Sequence, residues 1–291
     1  MTKIQWTDQT WNPIVGCSVV SPGCTNCYAM RMAGTRLRHT PAYRGLTQGA
    51  RHQASVWNGK VRFLEERLTQ PLKWRKPRRV FVNSMGDLFH ENVADDDIDR
   101  VFAIMAMTPQ HTYQVLTKRP ERMRKYTSDP AVAGRIWDAA VRLDCEFHLP
   151  ESHPGYRVLL DGAGFRLPLP NIWLGTSVED QKRANERIPH LLNTPAAVRF
   201  LSMEPLLEEV DLYRGGFSFL HRIKSPTGKQ HERLDWIICG GESGPSARDM
   251  DPAWARSLRD QCQAAGVPFF MKQMSRKTPI PNDLMVREWP G

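Results

Sequence analysis

The 291-residue sequence has no run approaching the roughly 18 apolar residues that cross a bilayer, so no helical membrane span is expected. Its opening stretch, MTKIQWTDQTWNP, has neither a long apolar region nor a small-residue cleavage site. No secretory signal is therefore expected, and the default location is cytoplasmic. There is no H-E-x-x-H helix, no P-loop and no G-x-S-x-G elbow, which leaves metalloprotease, nucleoside triphosphatase and α/β-hydrolase chemistry without support. No repeat of 20–50 residues and no extended low-complexity tract is present, and the ordinary apolar content argues against disorder. Cysteine is scarce, at six residues. In a reducing compartment, clustered cysteines more often serve a metal or catalysis than disulfides.

Acidic residues are outnumbered, 31 against 40 Lys and Arg, giving a formal charge of +9. This favours an anionic partner, with nucleic acid first, although a basic enzyme with no polymer partner carries the same charge. Two basic stretches hold interleaved aromatics: MRMAGTRLRHTPAYRGLTQGARHQ and KWRKPRRV. Tyr43, Trp57 and Trp74 are available there for stacking. A solvated outer face has the same composition.

Six short apolar runs predict strands: Arg79–Asn83, Thr112–Leu116, Asn171–Gly175, Val198–Ser202, Asp235–Cys239 and Val267–Met271. Continuous runs of this length suit strands buried on both faces, hence a parallel sheet. A weaker seventh strand is expected at Trp11–Gly16. Between the runs, DDDIDRVFAIMAM, AVAGRIWDAAVRL, EDQKRANERIPHLLN and DPAWARSLRDQCQAAG read as helices, the last with Asp251 as cap, Pro252 at the first position and Gly266 as stop. The alternation predicts an α/β fold, a partial (β/α) barrel of six to seven parallel strands in one unit over 1–291. An excursion is expected near 145–170, and a hairpin turning at SPTG near 213–233.

Each run is followed by polar residues: SMGDLFHE, TKRPERM, TSVEDQ, MEPLLEE, GGESGPSARD and KQMSRK. In a parallel α/β barrel such ends converge on the face that holds the active site. Asp87, Lys118, Arg119, Glu179, Glu204, Glu242 and Lys272 are therefore expected around one cavity. Caps and solvated loop residues are the bland explanation of each one singly.

Cys17, Cys24 and Cys27 form a CxxxxxxCxxC pattern in a loop rich in Gly, Pro, Ser and Asn. Three readings stand: zinc with a fourth ligand such as His39, a 4Fe–4S cluster held by three thiolates with one iron open to an outside ligand, or free buried thiols. Cys239 ends a predicted strand, where it either faces the cavity mouth or fills the core. Cys145 and Cys262 lie in helical segments and read as structural.

Strand-end cysteines in a partial barrel resemble the radical S-adenosylmethionine (SAM) superfamily. More closely, WTDQTWNPIVGCSVVSPGCTNCYA, VLTKRPERM, WLGTSVEDQ, RFLSMEPLLEEV, WIICGGESGPSARDM and GVPFFMKQM are similar to a phage-associated, three-cysteine-motif family of radical-SAM-like character. The resemblance runs from Trp6 to Met274. It implies that Cys17, Cys24 and Cys27 hold a 4Fe–4S cluster whose fourth iron takes the amine and carboxylate of SAM. It implies cofactor contacts from the turn Asn83, Ser84, Met85, Gly86 and Asp87, and from Ser177, Glu179 and Glu204. Reductive cleavage of SAM then gives a 5′-deoxyadenosyl radical that abstracts a substrate hydrogen, with the electron supplied by a flavodoxin or ferredoxin. Lys118 and Glu242 are the implied catalytic residues, together with Cys239 as a hydrogen donor of the kind seen in spore photoproduct lyase. Arg119, Arg248 and Lys272 are the implied substrate contacts. The expected substrate is nucleic acid or nucleotide-derived, modified, rearranged or repaired. The superfamily spacing is CxxxCxxC with an aromatic residue before the last cysteine; here the first gap is six residues, Asn26 precedes Cys27 and Tyr28 follows it. A nucleic-acid-binding protein with a structural cluster or zinc, and a radical-SAM enzyme acting on a metabolite or peptide, are the other expectations.

Overall fold

The structure is a computed structural model and describes residues 4–49, 55–160, 164–213, 218–224, 230–244, 246–276 and 278–291. Its main sheet has seven strands: β1 (Gln9–Trp11), β2 (Arg79–Val82), β3 (Thr112–Thr117), β4 (Ile172–Ser177), β5 (Val198–Met203), β6 (Trp236–Gly240) and β7 (Phe269–Gln273). Their spatial order is their chain order, and every neighbouring pair is parallel. The sheet curls into an open half-barrel, as the alternation predicts.

Helices complete the βα units. Asp95–Ala106 carries Asp95, Asp96 and Asp97 in its first turn, where carboxylates oppose the positive end of the helix dipole. Val132–Phe147 packs against it. Gln181–Leu192 is capped by Asp180, whose side chain accepts from the Arg183 N–H at 2.8 Å. Pro252–Ala265 starts on Asp251, which accepts from Ala253 N–H at 2.8 Å, and stops at Gly266 with φ 61°.

One strand differs from expectation, and the two connecting segments gain detail. The first strand is Gln9–Trp11, earlier than Trp11–Gly16. Pro13 has no N–H to give a ladder, and Ile14–Val15 instead pairs antiparallel with Arg62–Phe63. The excursion near 145–170 contains a helix, Pro154–Leu160. The hairpin near 213–233 has its two strands, Ile223–Lys224 and Gln230–His231, and the SPTG turn lies outside the described residues.

Alternation along the strands sorts the core into two sides. Val80, Val82, Tyr113, Val115, Leu174, Leu201, Ile237 and Met271 join the large cluster under the helices. The opposite parity faces the concave side, where Trp6, Phe200, Trp236, Ile238 and Phe270 form a buried cluster flanked by Phe81, Leu116 and Trp173. The rings interlock edge to face, as with Trp6 and Trp236 at 6.3 Å and 86°. This aromatic plug fills the concave side, so the polar strand ends form the walls of a cavity above it.

Candidate functional site

The cysteine loop leaves the short Ile14–Val15 strand and enters the helix Tyr28–Gly34. Gly16 sets its starting direction. It has φ 96°, and an added Cβ would lie 2.3 Å from the Lys60 carbonyl oxygen. Gly16 also bridges to Gly86, and its N–H donates to Met85 O at 3.1 Å. The loop is thereby stitched to the turn that follows β2. Asn12 secures the same turn, accepting from Met85 N–H at 2.9 Å and from the Ser84 hydroxyl at 3.1 Å.

Three arginine–carboxylate pairs then hold the loop on the barrel. At its beginning, Arg119 Nη1 donates to Asp87 Oδ2 at 3.0 Å and lies 3.8 Å from the Cys17 sulfur, while Nη2 donates to Ser18 Oγ at 2.6 Å. Midway, the Gly23 N–H points to Glu179 Oε1 at 3.4 Å, and Glu179 is paired with Arg187 at 2.9 Å. A Cβ on Gly23 would come 3.1 Å from that carboxyl carbon, so a side chain there would press on the Glu179 carboxyl. Near its end, Glu242 Oε2 accepts from Asn26 Nδ2 at 2.8 Å and from Arg248 Nε at 3.1 Å, and Arg248 Nη2 donates to Pro22 O at 2.8 Å.

The result is one cavity of about 140 Å³ at the C-terminal strand ends, lined by all three cysteines. Asn83, Ser84, Gly86 and Asp87 of the β2 turn, Lys118 and Arg119 after β3, and Ser177 ending β4 share its wall. The other expected site residues lie outside this lining. Met85 is buried beside the cysteine helix. Glu179, Glu242 and Arg248 are spent on the loop. Glu204 and Lys272 pair with each other at 2.7 Å, while Glu204 Oε1 is buried without a partner.

Cys239 corrects an expectation. It shares the parity of Ile237, is fully buried in the helix-side cluster with Leu258 and Cys262, and does not face the cavity. Burial pushes its thiol up, with the nearby Glu204 charge adding to the effect. His39, the candidate fourth zinc ligand, is exposed and does not line the cavity.

Sequence reasoning missed the network beyond Arg119. His90 is fully buried; its Nδ1 accepts from Asn92 N–H at 3.1 Å, so Nε2 carries the proton and donates to Ser18 Oγ at 3.0 Å. Ser18 in turn donates to Glu91 at 3.0 Å. Burial holds His90 below its ordinary pKa, and the Arg119 charge adds to this. Burial works to raise Glu91, but the Arg119 hydrogen bond and charge, together with a backbone hydrogen bond, outweigh it and hold the carboxyl at about 2. His90 donates to Ser18 and so is not its base, and the Glu91 carboxylate that accepts from Ser18 is held too acidic to be a strong one; the cluster reads as a brace. The polar string DLFHE after β2 was its sequence signal. Arg187 had none, because its contact with Glu179 arises only when helix and strand end meet.

Burial, then the Asp87 charge, push the Cys17 thiol to about 12 against the pull of Arg119. Three thiol donors suit iron in a cluster or zinc over calcium or magnesium. Asn83 lines the same cavity, and its Nδ2 is buried with no acceptor while Oδ1 accepts from Ile14 N–H at 3.2 Å. Such an orphan donor costs about 1–3 kcal/mol unless a ligand accepts from it. Among the described residues, no three His, Cys, Asp or Glu side chains stand close enough to share one ion. The donor types fit a thiolate-held group; one zinc ion would need the 17–27 loop to draw its sulfurs together, whereas a cluster would take each thiolate on a different iron.

Fold and site together define a half-barrel α/β protein with a three-cysteine cavity at its strand ends. No helix among the described residues is long and apolar enough to cross a membrane. Residues 1–283 match the family described as protein of unknown function (DUF5131), and the chain belongs to that family. No curated protein and no solved structure matches it.

Proposed function

We propose that this chain is a radical-SAM-type enzyme acting on a nucleic acid or nucleotide-derived substrate, with Cys17, Cys24 and Cys27 holding a 4Fe–4S cluster. The observation that carries the reading is the single cavity shared by the three thiols, the Asn83–Asp87 turn and Ser177. When bound, the cluster and SAM supply reductive cleavage, with the electron drawn from a flavodoxin or ferredoxin. The chain's own residues position and exclude. The unpartnered Asn83 amide offers a donor to a polar cosubstrate in the cavity, with the Ser177 hydroxyl on the same wall. Lys118 has no ion-pair partner among the described residues and lies between this cavity and a neighbouring one of about 380 Å³. It presents positive charge to an incoming phosphate. Arg119, Glu179, Glu242 and Arg248 act through the loop they hold, as positioning residues.

The test uses anaerobically purified, iron-reconstituted protein, reduced with dithionite and given SAM. The reading expects 5′-deoxyadenosine by chromatography from the native chain and none from a Cys24→Ala, Cys27→Ala double variant. A reduced cluster whose electron paramagnetic resonance signal ignores SAM would sink it, in favour of a nucleic-acid-binding protein with a structural cluster or zinc.

A further inference from the structure

A separate cavity of about 830 Å³ lies at the other end of the sheet. Its walls come from the segment 69–77 that leads into β2, from Gln110 just before β3, and from residues 147–154. These are N-terminal strand ends, whereas the cysteines sit at C-terminal ones. The six residues of β3, at about 3.3 Å each, put roughly 20 Å between the two.

The lining chemistry is one-sided. Lys73 and Arg75 are exposed, and neither side chain has an ion pair or hydrogen bond among the described residues. Among the described residues no carboxylate lines the cavity; Glu146 and Glu151, on the same stretch as one wall, lie outside the lining. Trp74 is half-buried, backed by the Arg78 guanidinium at 5.6 Å and by the His111 ring at 5.7 Å. Phe147, from a different wall, is 44% exposed. Gln110 Oε1 is buried and accepts from no donor. His153 ties two walls together: its Nδ1 accepts from Gly155 N–H at 3.0 Å, so Nε2–H donates to Leu72 O at 3.1 Å.

We infer that this cavity binds a nucleoside phosphate unit, as a free nucleotide or as one residue of a single strand. Two aromatic side chains line the cavity, Phe147 with much of its surface open, and stacking on such rings accepts any base because every base has a π-face. The free cations suit a phosphate, and the orphan Gln110 oxygen suits an exocyclic amine or ring N–H. An acidic peptide answers the cations but leaves the aromatics and the acceptor unused. The volume falls in the range of roughly 300–1,000 Å³ typical of small-ligand sites. At its distance from the cysteines the site anchors a ligand and takes no part in chemistry on it. The inference stands without the cluster: failure of the 5′-deoxyadenosine assay leaves it intact, and loss of nucleotide binding leaves that assay intact.

The test is fluorescence anisotropy of the full chain with a fluorescein-labelled thymidylate oligonucleotide, with calorimetry on adenosine monophosphate. A Lys73→Ala, Arg75→Ala double variant is expected to weaken binding about tenfold or more. An equal charge loss on the other basic stretch, Arg36→Ala with Arg38→Ala, is expected to cost much less. Phe147→Ala, at an exposed position that leaves the core intact, is expected to weaken binding about threefold or more. Competition by the monophosphate assigns the site to free nucleotides, and tight oligonucleotide binding without such competition assigns it to a strand. The proposal is overturned if neither probe binds, if the two double variants lose affinity equally, or if Phe147→Ala binds like the native chain.

Discussion

Arg119 joins Asp87 at 3.0 Å and stands 3.8 Å from the sulfur of Cys17. One guanidinium thus ties the end of β3 to the turn after β2 and to the start of the cysteine loop. Asp87 is saturated: it also accepts from the Thr117 hydroxyl at 2.7 Å and from the backbone N–H of Phe89 and Lys118. Burial opposes the charge on Arg119, but Asp87 and Glu91 outweigh it and hold its pKa above the usual arginine value.

Replacing Arg119 tests this tie. Both side chains are nearly buried, so Arg119→Ala leaves an uncompensated carboxylate and is expected to cost about 3 kcal/mol or more in a denaturant melt. Arg119→Lys keeps the charge but not the fork, and should lose less while still loosening the loop. Faster alkylation of Cys17 in Arg119→Lys, at unchanged far-ultraviolet circular dichroism, is the expected sign. Equal alkylation rates would mean that the loop is held without it.

The strands were legible because both sheet faces are covered, which turns each strand into an unbroken apolar run. That same property hid the parity of Cys239: a strand apolar on both sides does not say which residues face the helices. Cys17, Cys24, Cys27, Lys118, Arg119 and the Asn83–Asp87 turn were readable as one site because parallel strands end on one face. Glu179 and Glu242 were readable as strand-end acids but not as loop braces. Their partners Arg187 and Arg248 meet them only through the fold, eight and six residues along the chain.

Gly16 gives a backbone test of the same loop. Gly16→Ala places a Cβ against the Lys60 carbonyl at a φ that alanine resists. About 2 kcal/mol of stability should be lost. On the proposed cluster reading, iron retained per chain after anaerobic reconstitution should fall as well. Full iron content in a destabilised variant would separate folding from loading and count against the stitched-loop account.

Glu242 sets an acid limit. Burial works to raise its carboxyl, but the hydrogen bonds from Arg248 and Asn26 outweigh it and hold its pKa below the ordinary 4.5. Its contribution is therefore complete above pH 4.5 and is lost as pH falls through the lowered folded value. The neutral amide of Glu242→Gln does not titrate. The stability gap between native chain and variant should be about 1–2 kcal/mol near neutrality, modest because Arg248 is partly exposed, and should close with acid. Melts from pH 6 down to pH 3 read this directly; a gap independent of pH would remove Glu242 from the brace.

Cys239 separates core from chemistry. It is fully buried on the helix side of the sheet, in the cluster that holds Leu258, Cys262 and Met271. Burial keeps its thiol protonated far above its ordinary range, so it behaves as a small apolar group. Cys239→Ala removes one sulfur from that cluster and should cost about 1 kcal/mol. Because the residue lies across the sheet from the cysteine cavity, on the proposed radical-SAM reading iron content and 5′-deoxyadenosine yield per chain should match the native protein. The Cys24→Ala, Cys27→Ala double variant, by contrast, should lose both. If Cys239→Ala retains its iron but loses the nucleoside product, the thiol reaches the concave side during turnover, and the strand parity that places it in the core is not the whole account of its role.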